Sequence, residues 1–248
     1  MEFENRVVIV TGAASGIGRA TAQAFAAEGA AIVAADLDGK AAAETAGTLA
    51  RGLGVAMDVG DPADADRLVS ETMAAFGRVD VLVNSAGISA RAGFLETSAA
   101  DFERVIRVNL TGSFLCAQAA AREMVKAGWG RIVNIASISG QRAGWGRTAY
   151  GSSKGGVIQL TRQMAVELGP LGLTANAIAP GPVETPLVVA NHTSETREAY
   201  GQAIPLARYA QAEEIAAAAL FLASDAAAYV NGHILNVDGG YGAAGINA

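Results

Sequence analysis

Tyr150 and Lys154 stand four residues apart in the stretch AYGSSKGGV, residues 149–157. On a helix that spacing puts both side chains on one face. A free phenol has a pKa of about 10, too high for a good base near neutral pH. A nearby ammonium favours the phenolate and lowers that value. Such a pair could take the proton of an alcohol while another group takes its hydride. The Gly and Ser residues between the two leave space for that group to approach. Ser137 ends the apolar run RIVNIAS, residues 131–137, upstream of the pair. Its hydroxyl could bond the substrate oxygen and steady developing charge; Ser139 is the weaker candidate beside it. Tyr-x-x-x-Lys also occurs on solvated helix faces, so its meaning depends on what the rest of the chain builds around it.

The first strand-like run, RVVIVT, leads into TGAASGIGRA, with glycines at 12, 16 and 18. Glycines there let the backbone turn sharply and approach a pyrophosphate seated on the following helix N-terminus. A plain tight turn between strand and helix would look similar. The place of the turn, after the first strand of an alternating pattern, favours nucleotide binding. The next strand ends at Asp36, eighteen residues after Gly18. A carboxylate there can accept hydrogen bonds from the adenosine ribose hydroxyls and would repel a 2′-phosphate. Leu37 follows it, and the next basic residue is Lys40. NAD is therefore expected over NADP. The other reading of Asp36 is a cap at the start of a helix.

Around these residues, short apolar runs alternate with longer Ala-rich segments of helical period. Strands are predicted at 6–11, 31–36, 53–58, 79–84, 131–137, 173–179 and 233–238, and helical segments between them, for example at 16–28, 62–76, 99–127, 149–168 and 211–223. Most strand runs are continuously apolar, as in a parallel sheet covered on both faces. The pattern predicts an α/β fold, a doubly wound sheet with helices on both faces. No linker divides the chain, so one domain is expected over residues 1–248. Between Pro180 and Pro205 the alternation breaks into a polar stretch with four prolines. It leaves the C-terminal end of a strand and is read as a substrate lid over about residues 183–208.

Composition narrows the classes. Of 248 residues 51% are hydrophobic, enough for a large core rather than a disordered chain. The formal charge is −6 with no basic block, so no nucleic-acid groove is expected. No run of 18 apolar residues exists, so no membrane span is expected. The start MEFENRVVIVTG lacks the features of a signal peptide, and a cytoplasmic location is expected. Cys116 is the sole cysteine and reads as a small buried thiol. With that one cysteine and two distant histidines, His192 and His233, neither a metal site nor a His-based triad is expected.

TGAASGIG, NSAG at 84–87, the set Ser137, Tyr150 and Lys154, and PGPVET at 180–185 resemble, in order and spacing, the short-chain dehydrogenase/reductase family. The likeness covers nearly the whole chain. It implies one Rossmann-like domain with a seven-stranded parallel sheet, commonly assembled as a homotetramer or a dimer. It implies cofactor contacts from Gly12, Ser15, Gly16, Ile17 and Gly18 in the first turn. Asp36 and Leu37 follow at the ribose, and Asp58 and Val59 at the adenine, with Asp58 holding the amino group. Asn84, Ala86 and Gly87 line the cofactor's other side; Ser85 stands where the family has a second Asn. Pro180, Gly181, Val183 and Thr185 are further implied cofactor contacts, Thr185 at the nicotinamide carboxamide. Lys154 would also bond the nicotinamide ribose beside Tyr150, and Asn109 would support a water-mediated proton relay to Lys154. Read without the resemblance, Asp58 is a carboxylate at a helix start, Thr185 a helix N-cap and Asn109 a polar residue facing a neighbour.

The substrate-side segments, 88–94, 139–150 and 191–202, are polar and include Arg91, Arg142, Arg147 and Trp145. A steroid or long acyl pocket would want a more apolar lining. The expected substrate is a small polar secondary alcohol or its ketone: a polyol, a sugar or a sugar acid. Ser137, Ser139, Arg147 and Tyr150 are the expected contacts, with Arg147 chosen to clamp a carboxylate. Each arginine equally suits a surface or subunit contact. Three readings stand: an NAD-dependent dehydrogenase, a 3-oxoacyl-[acyl-carrier-protein] reductase-like ketoreductase, and a non-enzymatic nucleotide sensor. Asp36 opposes the second, since those reductases usually use NADPH. The intact Ser, Tyr and Lys set opposes the third.

Overall fold

Val7 and Ile9 of the first strand face one side of the sheet, Val8 and Val10 the other, and all four are buried. That is why the run reads as continuously apolar: both faces are covered. The computed structural model describes residues 2–244; the ends of the expected domain, Met1 and residues 245–248, lie outside the described residues. The described residues form one seven-stranded sheet, all parallel, in the order β3-β2-β1-β4-β5-β6-β7. The strands are β1 (Val7–Thr11), β2 (Ala31–Asp36), β3 (Gly52–Ala56), β4 (Val81–Asn84), β5 (Gly130–Ile135), β6 (Leu173–Pro180) and β7 (Ile234–Val237).

One face is covered by α3 (Pro62–Phe76), α5 (Gly112–Ala127) and α6 (Thr148–Leu168), which contribute Leu68, Met124 and Met164. The other face is covered by α1 (Gly16–Ala27), α2 (Gly39–Gly47) and α9 (Ala212–Ala223), which contribute Phe25, Ala46, Ile215 and Leu222. Each buried Leu, Ile or Phe of this kind contributes about 1.5–3 kcal/mol. Cys116 is buried on α5, and burial pushes its thiol up to about 12, the inert state its apolar setting suggests. The chain winds outward from β1 through β2 to β3, then crosses back to β4. The strand order therefore reverses between β1 and β4, and a crevice opens at their C-terminal ends.

Three details differ from the sequence expectation. The helix expected over 99–127 is two helices, α4 (Ala99–Ile106) and α5, joined by a π-turn at Arg107–Thr111. Helix α2 falls between the expected helices. The 183–208 segment holds two short helices, α7 (Pro186–Asn191) and α8 (Ser194–Ala203). Neither carries a long apolar period, so their signals are local. Thr185 and Thr193 cap them through Val188 N and Thr196 N, and Pro186 takes the first helical position of α7.

Candidate active site

The crevice is a groove of about 390 Å³ along the C-terminal ends of β1, β2 and β4. Its floor is backbone. Gly12 has φ +70°, and a Cβ on it would lie 2.8 Å from the Ala86 backbone. A Cβ on Gly18 would meet the Gly12 carbonyl oxygen at 2.1 Å. Only glycine fits either place. Thr11 Oγ1 accepts from Ser85 N (3.1 Å) and Ala86 N (3.2 Å), which ties the turn after β4 to the end of β1. Ser15 caps α1 without a side-chain bond, and the first turn of α1 holds no acidic residue. The N–H groups and positive dipole end of α1 are thus free to receive a phosphate. A cradle that a single methyl would fill, at the open start of a helix, fits a dinucleotide.

At the far end of the groove, Asp36 accepts from Ala14 N (3.0 Å) and Asp38 N (3.1 Å), which fixes the carboxylate beside the turn. Ser15, Gly16, Ile17, Gly18, Leu37, Val59, Ala86, Gly87 and Thr185 also line the groove. Asp58 lines it too, but is engaged: its carboxylate accepts from Gly60 N (2.9 Å) and pairs with Arg107 (2.9 Å). Arg107, which sequence reasoning passed over, therefore shares this end of the groove. Asn84 differs from expectation. Its side chain is buried and donates to Asn134 Oδ1 (2.9 Å) and Ser113 O (3.2 Å), so it faces the core and not the groove. The three residues after it supply that wall.

The groove leads to a smaller hollow lined by Ser137, Tyr150, Lys154, Pro180, Gly181, Val183 and Thr185. Here the separate motifs converge. Lys154 is buried and donates to Ile135 O (2.6 Å); burial lowers it to about 8. Tyr150 lies one helical turn away, with Lys154 Nζ 5.8 Å from its ring centre. Burial raises the Tyr150 phenol above its ordinary value, while the Ser137 hydroxyl and the Arg147 guanidinium pull it down. The lowering expected from Lys154 is not among these influences. The ammonium bonds a backbone carbonyl, and desolvation dominates.

Asn109 sits in the π-turn, fully buried. Its amide accepts from Ile88 N (2.8 Å) and donates to Ile88 O (2.9 Å) and Ser153 Oγ (2.9 Å). The side chain is spent on holding the turn after β4 against α6. Single-turn π insertions recur at functional sites.

The substrate side lies under the 183–208 segment. Ser139 and Arg147 line a hollow with Ser137 and Tyr150. Thr185 both caps α7 and faces the groove. Arg147 donates to Ser89 Oγ (3.3 Å) and to His192 Nε2 (3.1 Å). Because a guanidinium only donates, the His192 proton is on Nδ1, which donates to the Tyr209 hydroxyl (2.9 Å). The His192 ring stacks on Tyr200 at 5.4 Å. Burial, then the charges of Arg147, Arg91 and Arg197, push it down to about 4. In the sequence His192 stands only as one of two distant histidines, and Tyr200 and Tyr209 lie in no motif; Arg147 and His192 are 45 residues apart. Among the described residues there is no cluster of three or more metal-ligating side chains, and no helix is long and apolar enough to cross a membrane.

The family described as enoyl-(acyl carrier protein) reductase matches residues 12–242. The D-threitol dehydrogenase of Mycolicibacterium smegmatis is 43% identical, over 96% of this chain and 94% of that one. A 3-oxoacyl-[acyl-carrier-protein] reductase of Synechocystis is 42% identical, over 95% and 96%. The crystal structure of levodione reductase superposes with a TM-score of 0.92 at 38% identity, over 98% of this chain and all of that one.

Proposed function

The chain belongs to the short-chain dehydrogenase/reductase family, and from that premise we propose that it interconverts a small polar secondary alcohol and its ketone with NAD. It is an alcohol dehydrogenase or ketoreductase of the short-chain type, which sets aside the nucleotide-sensor reading. The observation that carries the proposal is the convergence of Ser137, Tyr150 and Lys154 where the nucleotide groove meets the lid hollow. The nicotinamide supplies the hydride acceptor or donor. The chain's own residues handle the proton and the oxygen. Tyr150 takes the hydroxyl proton in oxidation and returns it in reduction, and Ser137 donates to the same oxygen. Lys154 holds positive charge against Tyr150. Asn109 fixes the Ile88 backbone that closes the site. The Asp36 carboxylate supports NAD over NADP, since it would repel a 2′-phosphate.

A second reading, a ketoreductase on acyl substrates, draws on the 42% identity to a 3-oxoacyl-[acyl-carrier-protein] reductase. A homotetramer in the cytoplasm completes the proposal. Phe114 of α5 and Val166 of α6 leave apolar surface exposed, 42% and 72%, which suits subunit packing and is checked by sedimentation. The decisive experiment is NAD and NADP reduction by the purified protein with polyols, sugars, sugar acids and simple secondary alcohols. Turnover with NAD, lowered at least about 100-fold in Tyr150→Phe while the protein stays folded, supports the reading. A clear NADP preference favours the acyl reductase.

A further inference from the structure

Beyond Tyr150 the pocket carries positive charge that the reaction above does not use. Arg91, Arg142 and Arg147 line the two adjoining hollows, of about 70 and 180 Å³, and no Asp or Glu lines either among the described residues. Elsewhere most cations are balanced: eleven of the other 15 lysines and arginines pair with a carboxylate. These three meet only neutral acceptors. Arg147 bonds Ser89 and His192, Arg142 bonds the Tyr241 carbonyl (3.1 Å), and Arg91 reaches the Asn191 carbonyl (3.5 Å). Glu184, whose charge reaches His192, is held by both Nη atoms of Arg197. In a protein of net charge −6, three unneutralised guanidiniums around one mouth are a local inversion.

We propose that this site selects an alcohol or ketone bearing a carboxylate, received by Arg147, with His192 as the residue that positions the guanidinium. The inference rests on the dehydrogenase reading and narrows its substrate to hydroxy or oxo acids. Arg147 stands over Tyr150, with its guanidinium carbon 5.7 Å from the phenol ring centre. The carboxylate it holds is therefore only a few bonds from the reacting carbon. Two of its five N–H donors are committed, and the others form a planar fork suited to a carboxylate. The small hollow beside Ser137, of about 70 Å³, suits a short carbon skeleton. His192 is neutral with its acceptor nitrogen on Arg147, so it orients the guanidinium without repelling it. Arg91 and Arg142 stand further out and raise the local anion concentration.

The test separates binding from turnover. Malonate, a carboxylate that cannot be oxidised as an alcohol, is titrated calorimetrically with and without NADH, into wild type, Arg147→Gln and Arg162→Gln. Arg162 is exposed on α6 and lines neither hollow. Alongside, kcat/KM is measured for matched pairs of hydroxy acids and their methyl esters. Wild type is expected to bind malonate and prefer the acids at least about 10-fold. In Arg147→Gln malonate binding weakens at least about 10-fold and the acid-to-ester ratio falls toward one, mainly through KM; Arg162→Gln changes neither. His192→Leu lowers the ratio, and His192→Gln, which keeps an acceptor for Arg147, restores it. Malonate binding that is absent, or indifferent to Arg147, overturns the proposal, as does a preference for the esters. If Arg147-dependent malonate binding occurs while no alcohol is oxidised, the anion site stands and the dehydrogenase reading falls. If esters and neutral alcohols turn over with no malonate binding, the reverse holds.

Discussion

The nucleotide end of the crevice and its substrate end are built from different materials. At the nucleotide end the recognising surface is backbone: the Gly12–Gly18 turn, the N–H groups of α1 and the tethered turn after β4. At the substrate end it is side chains: Arg147, His192, Tyr200 and Tyr209, brought together from α6, the lid and the approach to α9. Backbone recognition demands glycine at fixed short intervals and tolerates no neighbour in the wrong place. Side-chain recognition demands only that a few residues arrive together. One end can therefore be kept across many substrates while the other changes.

The largest expected effect tests the rigidity of the nucleotide end. Gly18→Ala forces a methyl into the Gly12 carbonyl, which lies 2.1 Å from where the Cβ must go. The turn has to shift, costing about 3 kcal/mol or more, and NAD binding is expected to vanish with a clear fall in Tm. An unchanged Tm with intact NAD binding would mean this end is as adaptable as the other.

Next comes Asp36, the charged side chain of the backbone-built end that no cation among the described residues pairs, unlike Asp58 with Arg107. Asp36→Asn removes the charge and keeps one of the two acceptor oxygens that Ala14 N and Asp38 N now use. The NADP-to-NAD ratio of kcat/KM is expected to rise about 10- to 100-fold, or about 1.4–2.8 kcal/mol. A flat ratio would show that backbone alone sets cofactor choice.

A third prediction concerns the lid. His192 titrates near 4 when folded, below its ordinary value of 6.5. Between those values the unfolded chain binds the proton and the folded chain does not. The stability this supplies is therefore whole above about pH 6.5 and lost as pH falls through 4. Arg147, Arg91, Arg197 and Glu184 are the charges that face the ring. Allowing for solvent screening, the loss is about 1–2 kcal/mol. Denaturant titrations of wild type and His192→Gln should converge as pH drops across this window. Parallel curves would place His192 in water rather than in the pocket.

The smallest effect is at the lid's end, where Ala207 adopts φ +52°. Ala207→Gly relieves about 1 kcal/mol of left-handed strain but loosens the unfolded chain by about as much. The net change in Tm is expected to be within a degree or two. A large rise would mean the lid stores more strain than its helices suggest.

The same contrast governs what could be read in the sequence. The inner strands were legible because burial on both faces makes most of them continuous apolar runs, whereas the edge strands β3 and β7 are partly exposed. Gly12, Gly16, Gly18 and Asp36 were legible because their work is local and tied to spacing. The inward turn of Asn84 was not, since nothing in NSAG says which side chain meets the core. Nor was the break at Arg107–Thr111, because the apolar period runs through it. The Arg147–His192–Tyr209 chain escaped because only the fold brings its members together. Helices α7 and α8 left no period at all, only caps.

The π-turn between α4 and α5 has a further consequence. A π-turn takes up one residue more than regular helix without changing the phase of what precedes or follows it. In evolutionary terms it is an insertion, and a single-codon deletion at Arg107–Thr111 would return an unbroken α-helix with both flanks in register. The fold would survive that deletion while Asn109 lost its grip on Ile88 and Ser153. A lineage could thus shed its chemistry here in one genetic step and keep its architecture.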